Sequence, residues 1–289
     1  MSPAQHLVAV LGRGVVDPDA PILSADDLGA TRGDGIFEVT RVVTTEGVSR
    51  VDHLDRHLAR FRTSAARLAL PAPDADAWQS LVHEAVAAWH VPGEAALKLV
   101  WTRGRENVPS GPTGYLTLTA QDPAALAASR AGITVASIPR GYASDAFGDA
   151  PWLLGGVKSL SYGVNLAARR AAAERGAEEA LFVSTDGYAL EGPTAGLIVA
   201  RDDELITSPT GATGVLPSIT VAVVTEAAEA AGVRVRRALL RPADLPHSQG
   251  AWFASSVKGV VPIVSLDGVP VPHDPEITRT LVAAAGFDR

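Results

Sequence analysis

PWLLGGVKSLSYGVN, residues 151–165, decides the reading of this chain. It runs from an irregular stretch rich in Gly, Pro and Asp into an Ala-rich segment, 161–175, that Gly176 stops. The spacing therefore predicts a helix entered just after Lys158. Leu153, Leu154, Val157 and Leu160 flank that lysine. Apolar surroundings penalise an ammonium and lower its pKa, which an imine-forming lysine requires. A lysine near a helix N-terminus also opposes the macrodipole, a small cost that a functional role explains. The same residues equally describe a surface lysine at a helix start, and both readings stand at this point.

Outward from Lys158, strands interleave with helices on both sides. HLVAVLGRG and GIFEVTRVVTTEGVSRV read as strands within residues 6–51, with Glu46-Gly47 as a hairpin tip. Over residues 52–69 the period changes: Leu54, Leu58, Phe61, Ala65 and Leu68 recur at helical spacing, Asp52 is the expected N-cap, and Pro71 and Pro73 end the helix. A second helix is expected over about 75–90, then strands ALKLVWTRG and GYLTLTAQD. QDPAALAASRAG, 121–132, lacks strong apolar periodicity and reads as a connection. The expected organisation is a small N-terminal α/β domain over 1–120, that connection, and a larger α/β domain over 133–289 carrying Lys158. The latter holds strands GITVASIPR, EALFVSTD and TAGLIVARD, a helix over 218–231, strand VRVRRALL, the stretch WFASSVKGVVPIVSLDG and a C-terminal helix. The fold class is mixed α/β or α+β.

Composition narrows the function. The 289 residues are 47% hydrophobic, typical of a globular chain with a core, and carry a net charge of −7. No long basic run is present, which argues against nucleic acid as the main partner. No stretch approaches the roughly 18 apolar residues of a membrane span, and the N-terminal residues do not read as a signal peptide. The chain has no cysteine, so disulfides and thiolate metal sites are excluded and a reducing cytoplasm is expected. Lysine chemistry has three candidates only: Lys98, Lys158 and Lys258.

Other residues offer partial signals. Glu191, in GYALEGPTAGLIVA, lies in a loop between strands; a carboxylate there keeps a pyridine nitrogen protonated, or is simply solvated. Residues 218–221, SITV, open a helix after Pro217, and a helix N-terminus offers Ile219 and Thr220 N–H groups to a phosphate. Arg60 and Ser256 are further phosphate candidates; their alternatives are an exposed helical arginine and a turn serine. GDG at 33–35 begins a strand and is a turn or a close backbone approach; no phosphate-loop pattern is present. His53 and His57 share a helix face, and the charges beside them favour a solvated one. No metal site and no serine elbow is expected.

Together these segments resemble the fold-type IV pyridoxal-phosphate enzymes, which include branched-chain and D-amino-acid aminotransferases and aminodeoxychorismate lyase. The resemblance covers nearly the whole chain, through RGDGIFEVTRV (32–42), HLARFRTSAARL (57–68), TRG (102–104), VKSLSYGVN (157–165), EALFVSTDGYALEG (179–192), TSPTGATGVLPSIT (207–220) and FASSVKGVVPI (253–263). It implies two α/β domains with pyridoxal 5′-phosphate between them and a homodimer. It implies Lys158 as the Schiff-base lysine and acid/base catalyst. Glu191 would pair with the pyridine nitrogen, with Tyr162 near the ring hydroxyl. Arg60, Ile219, Thr220 and Ser256 would hold the phosphate. Two departures stand out. Ala195 and Gly196 occupy positions where the family carries Ser and Asn, and Val221 replaces a basic residue.

Within that family the sequence points to a lyase converting 4-amino-4-deoxychorismate to 4-aminobenzoate and pyruvate, for folate synthesis. RENVPSGPT, 105–113, lacks the His that follows TRG in D-amino-acid transaminases, and Phe37 stands where those enzymes carry Tyr. Arg103, Arg105 and Arg140 are candidates for binding substrate carboxylates. The alternatives are a D-amino-acid or branched-chain aminotransferase, and a cofactor-binding relative without catalysis.

Overall fold

The computed structural model describes residues 5–108 and 111–288. Residues 1–4, part of the stretch read as lacking a signal peptide, lie outside the described residues. The chain divides into two compact units, 1–125 with 157–162, and 126–156 with 163–289.

The first unit holds β1 (His6–Val10), β2 (Gly14–Val16), α1 (Leu28–Arg32), β3 (Gly35–Thr45), β4 (Val48–Val51), α2 (Leu54–Arg67), α3 (Ala75–Ala87), β5 (Gly93–Thr102) and β6 (Thr113–Ala120). Its strands form one antiparallel sheet in the order β2-β1-β6-β5-β3-β4. Alternation along the strands sorts side chains to two faces. Leu7, Ala9, Ile36, Val42, Leu97, Leu99, Leu116 and Leu118 form one core with Leu58, Phe61 and Ala65 of α2 and Trp78, Leu81 and Val82 of α3. The β3–β4 hairpin turns at Glu46 and Gly47, both with positive φ as a tight two-residue turn demands. α2 starts one residue later than the Asp52 cap predicts. His53 is its N-cap, in the left-handed region, because Asp52 is drawn to Arg41 at 2.7 Å and Arg50 at 3.3 Å. The short helix α1, within the stretch read as strands and turns, is capped by Asp27 accepting from Gly29 N at 2.8 Å.

The division of the chain at residues 125/126 falls within α4 (Pro123–Ala131). It occupies the stretch expected to be an irregular connection; Asp122 caps it by accepting from Ala124 N, and Leu126 is buried. The second unit holds β7 (Ile133–Pro139), α5 (Gly163–Glu174), β8 (Glu179–Val183), β9 (Gly196–Arg201), β10 (Glu204–Thr207), α6 (Ile219–Ala230), β11 (Arg234–Arg237), β12 (Gly250–Ser255), β13 (Gly259–Leu266), β14 (Val269–Pro270) and α7 (Pro275–Ala284). Its sheet has the order β11-β10-β9-β12-β13-β7-β8, with β14 paired to β13. β7 runs parallel to β8 and β13, and β10 parallel to β11. Its apolar faces are covered by α5 (Ala168, Ala172) and by α6 and α7 (Val221, Val224, Leu281). Among the described residues no helix is long and apolar enough to cross a membrane.

The segment 157–162 belongs to the first unit, whereas the sequence assigned Lys158 to the C-terminal domain. Backbone pairing explains this: Phe37 N donates to Lys158 O at 3.0 Å, Leu160 N donates to Gly35 O at 2.8 Å, and Ile36 bridges Ser159. Lys158 thus sits on an extended segment along β3, and the helix predicted to start beside it begins only at Gly163.

Candidate active site

The site of the first unit is built on three consecutive residues of β3. Ile36 and Glu38 point to the side covered by α2, and Phe37 points to the other. Ile36 is an ordinary core residue, fully buried. Glu38 takes the next inward position, where an apolar side chain is the default, and is 1% exposed. A carboxylate there requires paired hydrogen bonds, and α2 supplies them from His57 and Arg60, three residues apart on one helix face. Arg60 Nε donates to Glu38 Oε1 and Arg60 Nη2 to Glu38 Oε2, both at 2.7 Å. His57 Nδ1 lies 2.8 Å from Glu38 Oε2. Burial acts to raise the Glu38 pKa, but the hydrogen bonds and charges of Arg60 and His57 outweigh it and hold it at about 2. Burial pushes the His57 pKa down; Glu38 opposes that, and the charges of Arg60 and Lys158 reinforce it. His57 is thereby a neutral imidazole donating Nδ1–H to a carboxylate.

Lys158 is half-buried. Its Nζ stands 4.4 Å from the centroid of the Phe37 ring and 5.9 Å from that of Tyr162. The two rings meet edge to face at 5.2 Å and 89°. An ammonium over ring faces is held by the quadrupole without being neutralised. The backbone N of Lys158 lies 3.4 Å from Ser64 Oγ, on the face of α2 that carries His57 and Arg60. One helix therefore orders both the buried ion pair and the main chain of the lysine.

A second ammonium approaches Phe37. Lys98 Nζ, from β5, lies 5.1 Å from the same centroid. Lys98 pairs with Val39 in the β3–β5 register, which puts it on the face of Phe37. Loss of hydration among its neighbours lowers its pKa although the residue remains exposed. Sequence reading marked Lys98 only as one of three lysines. Its signal was the strand alternation LKLV, which sets Lys98 opposite in facing to Leu97 and Leu99.

In the second unit Glu191 precedes β9 and bridges Gly196. Its Oε2 accepts from Leu216 N at 3.1 Å, and its Oε1 lies 3.9 Å from Arg140 Nη2. Arg140 also donates to the Thr213 and Gly214 carbonyls, each at 3.1 Å, and lies over the rings of Phe147 and Phe182 at 4.8 and 5.9 Å. Arg140 is thus fixed beside Glu191. At the start of α6, Ser218 Oγ accepts from Val221 N at 3.3 Å. The N–H groups of Ile219 and Thr220 belong to the first turn, which has no intrahelical acceptors. Ser256 is half-buried in the β12–β13 turn, whose carbonyls at Val257 and Lys258 accept from Arg130 at 3.2 and 3.0 Å.

The residues expected from sequence therefore fall into two sets. Lys158, Phe37, Tyr162 and Arg60 gather in the first unit; Glu191, Arg140, Ile219, Thr220 and Ser256 lie in the second. Arg60 is no exposed helical arginine, its side chain being 11% exposed. His57, expected on a solvated face, is buried, because α2 turns it toward Glu38 and not outward with Asp55. Arg103 and Arg105 are engaged elsewhere. Arg103 pairs with Asp34 and donates to the Leu68 and Ala69 carbonyls, and Arg105 pairs with Asp26 at 2.8 Å.

Comparison with known proteins identifies the family. Residues 35–266 match the family Amino-transferase class IV. The chain belongs to the class IV aminotransferases. Over 96% of its length and 98% of the relative's, it is 37% identical to a Mycobacterium tuberculosis protein named bifunctional aminodeoxychorismate lyase / D-amino acid transaminase. The PLP-bound form of a hypothetical aminotransferase from Mycobacterium tuberculosis superposes with a TM-score of 0.90 at 38% identity, covering 97% of this chain and 98% of that one. A fold IV-transaminase from Curtobacterium pusillum does so with a TM-score of 0.89 at 36% identity, covering 97% of both chains. The class IV chain is thus a two-unit α/β member of the fold-type IV enzymes.

Proposed function

We propose that this class IV enzyme is a lyase that converts 4-amino-4-deoxychorismate to 4-aminobenzoate and pyruvate with pyridoxal 5′-phosphate. The observation that carries the reading is Lys98 Nζ, 5.1 Å from the centroid of the Phe37 ring on which Lys158 also lies. With Lys158 given to the cofactor, Lys98 would partner one of the two carboxylates that this substrate carries. The mycobacterial relative, whose name includes this lyase activity, supports the same reading.

As the resemblance implies, Arg60, the N–H groups of Ile219 and Thr220 and the Ser256 hydroxyl would hold the phosphate, groups of a chemistry that suits one. Glu191, beside Arg140, would pair with the pyridine nitrogen, and Tyr162 would serve the ring hydroxyl. When bound, the cofactor supplies an electron sink for the substrate carbon that bears the amine. Lys158 Nζ would hold the cofactor and, once the substrate amine has taken its place, would accept the proton from that carbon. The enolpyruvyl C–O bond would break with its electron pair leaving on oxygen, the proton taken by Lys158 would pass to the methylene carbon of the departing enolpyruvate to give pyruvate, and aromatisation of the ring would drive the step. Phe37, and Tyr162 beyond it, would orient Lys158 Nζ.

Transamination of D-amino acids is the second reading, favoured by the transaminase activity in the same relative's name. It uses the same Lys158 proton transfer, returned to a different carbon. Retention of Lys158, Glu191 and Arg60 speaks against a relative without catalysis. The chain is proposed to act as a cytoplasmic homodimer; Trp152, 74% exposed, and Val164, 66% exposed, offer apolar surface for a second copy.

The test is an absorption spectrum of the cofactor-loaded protein before and after addition of aminodeoxychorismate, with 4-aminobenzoate followed by fluorescence. A cofactor band with 4-aminobenzoate release, both lost in Lys158→Ala, supports the lyase. A band that D-alanine bleaches, without release, moves the assignment to the aminotransferase. No band at all overturns the cofactor assignment.

A further inference from the structure

We infer that Glu38 and His57 are positioning residues that fix the Arg60 guanidinium for its phosphate. The inference rests on the reading that Arg60 holds the cofactor phosphate. Glu38 grips Arg60 along the Nε–Nη2 edge, with both oxygens at 2.7 Å. A guanidinium is planar, so this fork sets the direction of Nη1, away from Glu38. A carboxylate alone pivots about its own χ angles. His57, donating from Nδ1 to Oε2 at 2.8 Å, removes that freedom and fixes the plane of the fork. Glu38 and His57 are each 1% exposed in their side chains, so no water competes for these bonds.

Stability alone is a poor reason to keep this cluster. Glu38 stands in the inward row of β3 with Ile36 and Val42, against Leu97 and Leu99 of β5. A buried ion pair is often no more stabilising than apolar residues of the same volume. What the cluster adds is a cation of defined direction on α2, the helix whose Ser64 also meets the backbone of Lys158. Neutral His57 contributes a donor without adding positive charge. The Arg60–Glu38 pair therefore keeps its balance, and the phosphate would meet a guanidinium whose plane and direction are set.

The test compares equilibrium affinity of the full-length apoprotein for pyridoxal 5′-phosphate and for pyridoxal, which lacks the phosphate, by titration of tryptophan fluorescence. His57→Leu is expected to weaken the phosphorylated ligand by about ten- to a hundredfold, the range of one hydrogen bond to a charged group, and pyridoxal by less than about threefold. His57→Asn, whose amide reproduces the Nδ1 donor, restores most of the loss. Glu38→Gln provides the same comparison should His57→Leu not fold. Arg60→Ala serves as the reference. If Arg60→Ala discriminates between the two ligands and His57→Leu and Glu38→Gln do not, the positioning role is overturned while the Arg60 reading stands. If Arg60→Ala does not discriminate, both fall. Equal loss of both ligands in His57→Leu marks a purely structural residue and also overturns the inference.

Discussion

Gly196 and Val221 occupy one space: a Cβ built on Gly196 would stand 2.6 Å from Val221 Cγ2 and 3.2 Å from Ser218 Cβ. Both, with Ala195, are positions at which the sequence departs from the pattern of the family it resembles. They are neighbours, at the start of β9 and in the first turn of α6. The missing side chain at one is matched by the apolar side chain at the other. The departures thus form one packing unit beside Glu191, which bridges Gly196, and leave the acceptor and donor groups there in place.

Gly196→Ala is accordingly expected to destabilise the apoprotein by about 1–3 kcal/mol, the usual cost of overpacking. Adding Val221→Ala opens the space, so the double variant should lose less than the sum of the two singles. Urea unfolding of the four proteins measures the coupling. Strictly additive losses would show that the two positions do not share space.

Lys158→Ala removes the nitrogen proposed to hold the cofactor and move the proton. Turnover should fall by at least about 10²- to 10⁴-fold, the range of one positioned acid/base. The cofactor band should disappear, while the melting temperature of the apoprotein changes little because Lys158 is only half-buried. A retained band with unchanged rate would remove Lys158 from the site.

Lys98→Met separates the two substrate classes. Loss of a carboxylate partner should raise KM for aminodeoxychorismate by about tenfold or more. The rate with D-alanine, which has one carboxylate, should change less. Equal effects on both substrates would mean that Lys98 acts on a step common to both.

Stability toward acid should show the buried triad. The folded Glu38 pKa, about 2, lies below its ordinary 4.5. The unfolded chain therefore binds the extra proton, and the stabilisation is present above pH 4.5 and lost as pH falls toward 2. The shift corresponds to at most about 3 kcal/mol. His57, also lowered, is buried neutral and charges first in the unfolded chain. Its contribution begins to decline as pH falls below 6.5. In Glu38→Gln the acid loss between pH 4.5 and 2 should be reduced; a profile identical to the parent would contradict the depressed Glu38 pKa.

Trp152→Glu tests the proposed dimer. A charged side chain in an interface core is strongly unfavourable, so sedimentation should shift toward monomer if Trp152 lies in the interface. An unchanged profile would place the contact elsewhere.

Much of the fold was legible because it follows from local pattern. Strand alternation in GIFEVTRVV, the helical spacing of Leu54, Leu58, Phe61 and Ala65, the Glu46-Gly47 turn and the helix start at Ser218 are each written within a few residues. The family was legible because several short motifs around Lys158 and Glu191 occur in a fixed order. Tertiary structure alone decided how those pieces meet. Lys158 lies along β3 because the backbone of its segment pairs with residues 35–37, far upstream, which no local period records. His57 is buried because its partner Glu38 sits on a strand; next to Asp55 in sequence it reads as solvated. Arg103 and Arg105, plausible substrate ligands by type, are committed to Asp34 and Asp26, and Lys98 reaches Phe37 only through the β3–β5 register. Periodicity fixes which face a side chain takes, while long-range pairing fixes what waits on that face.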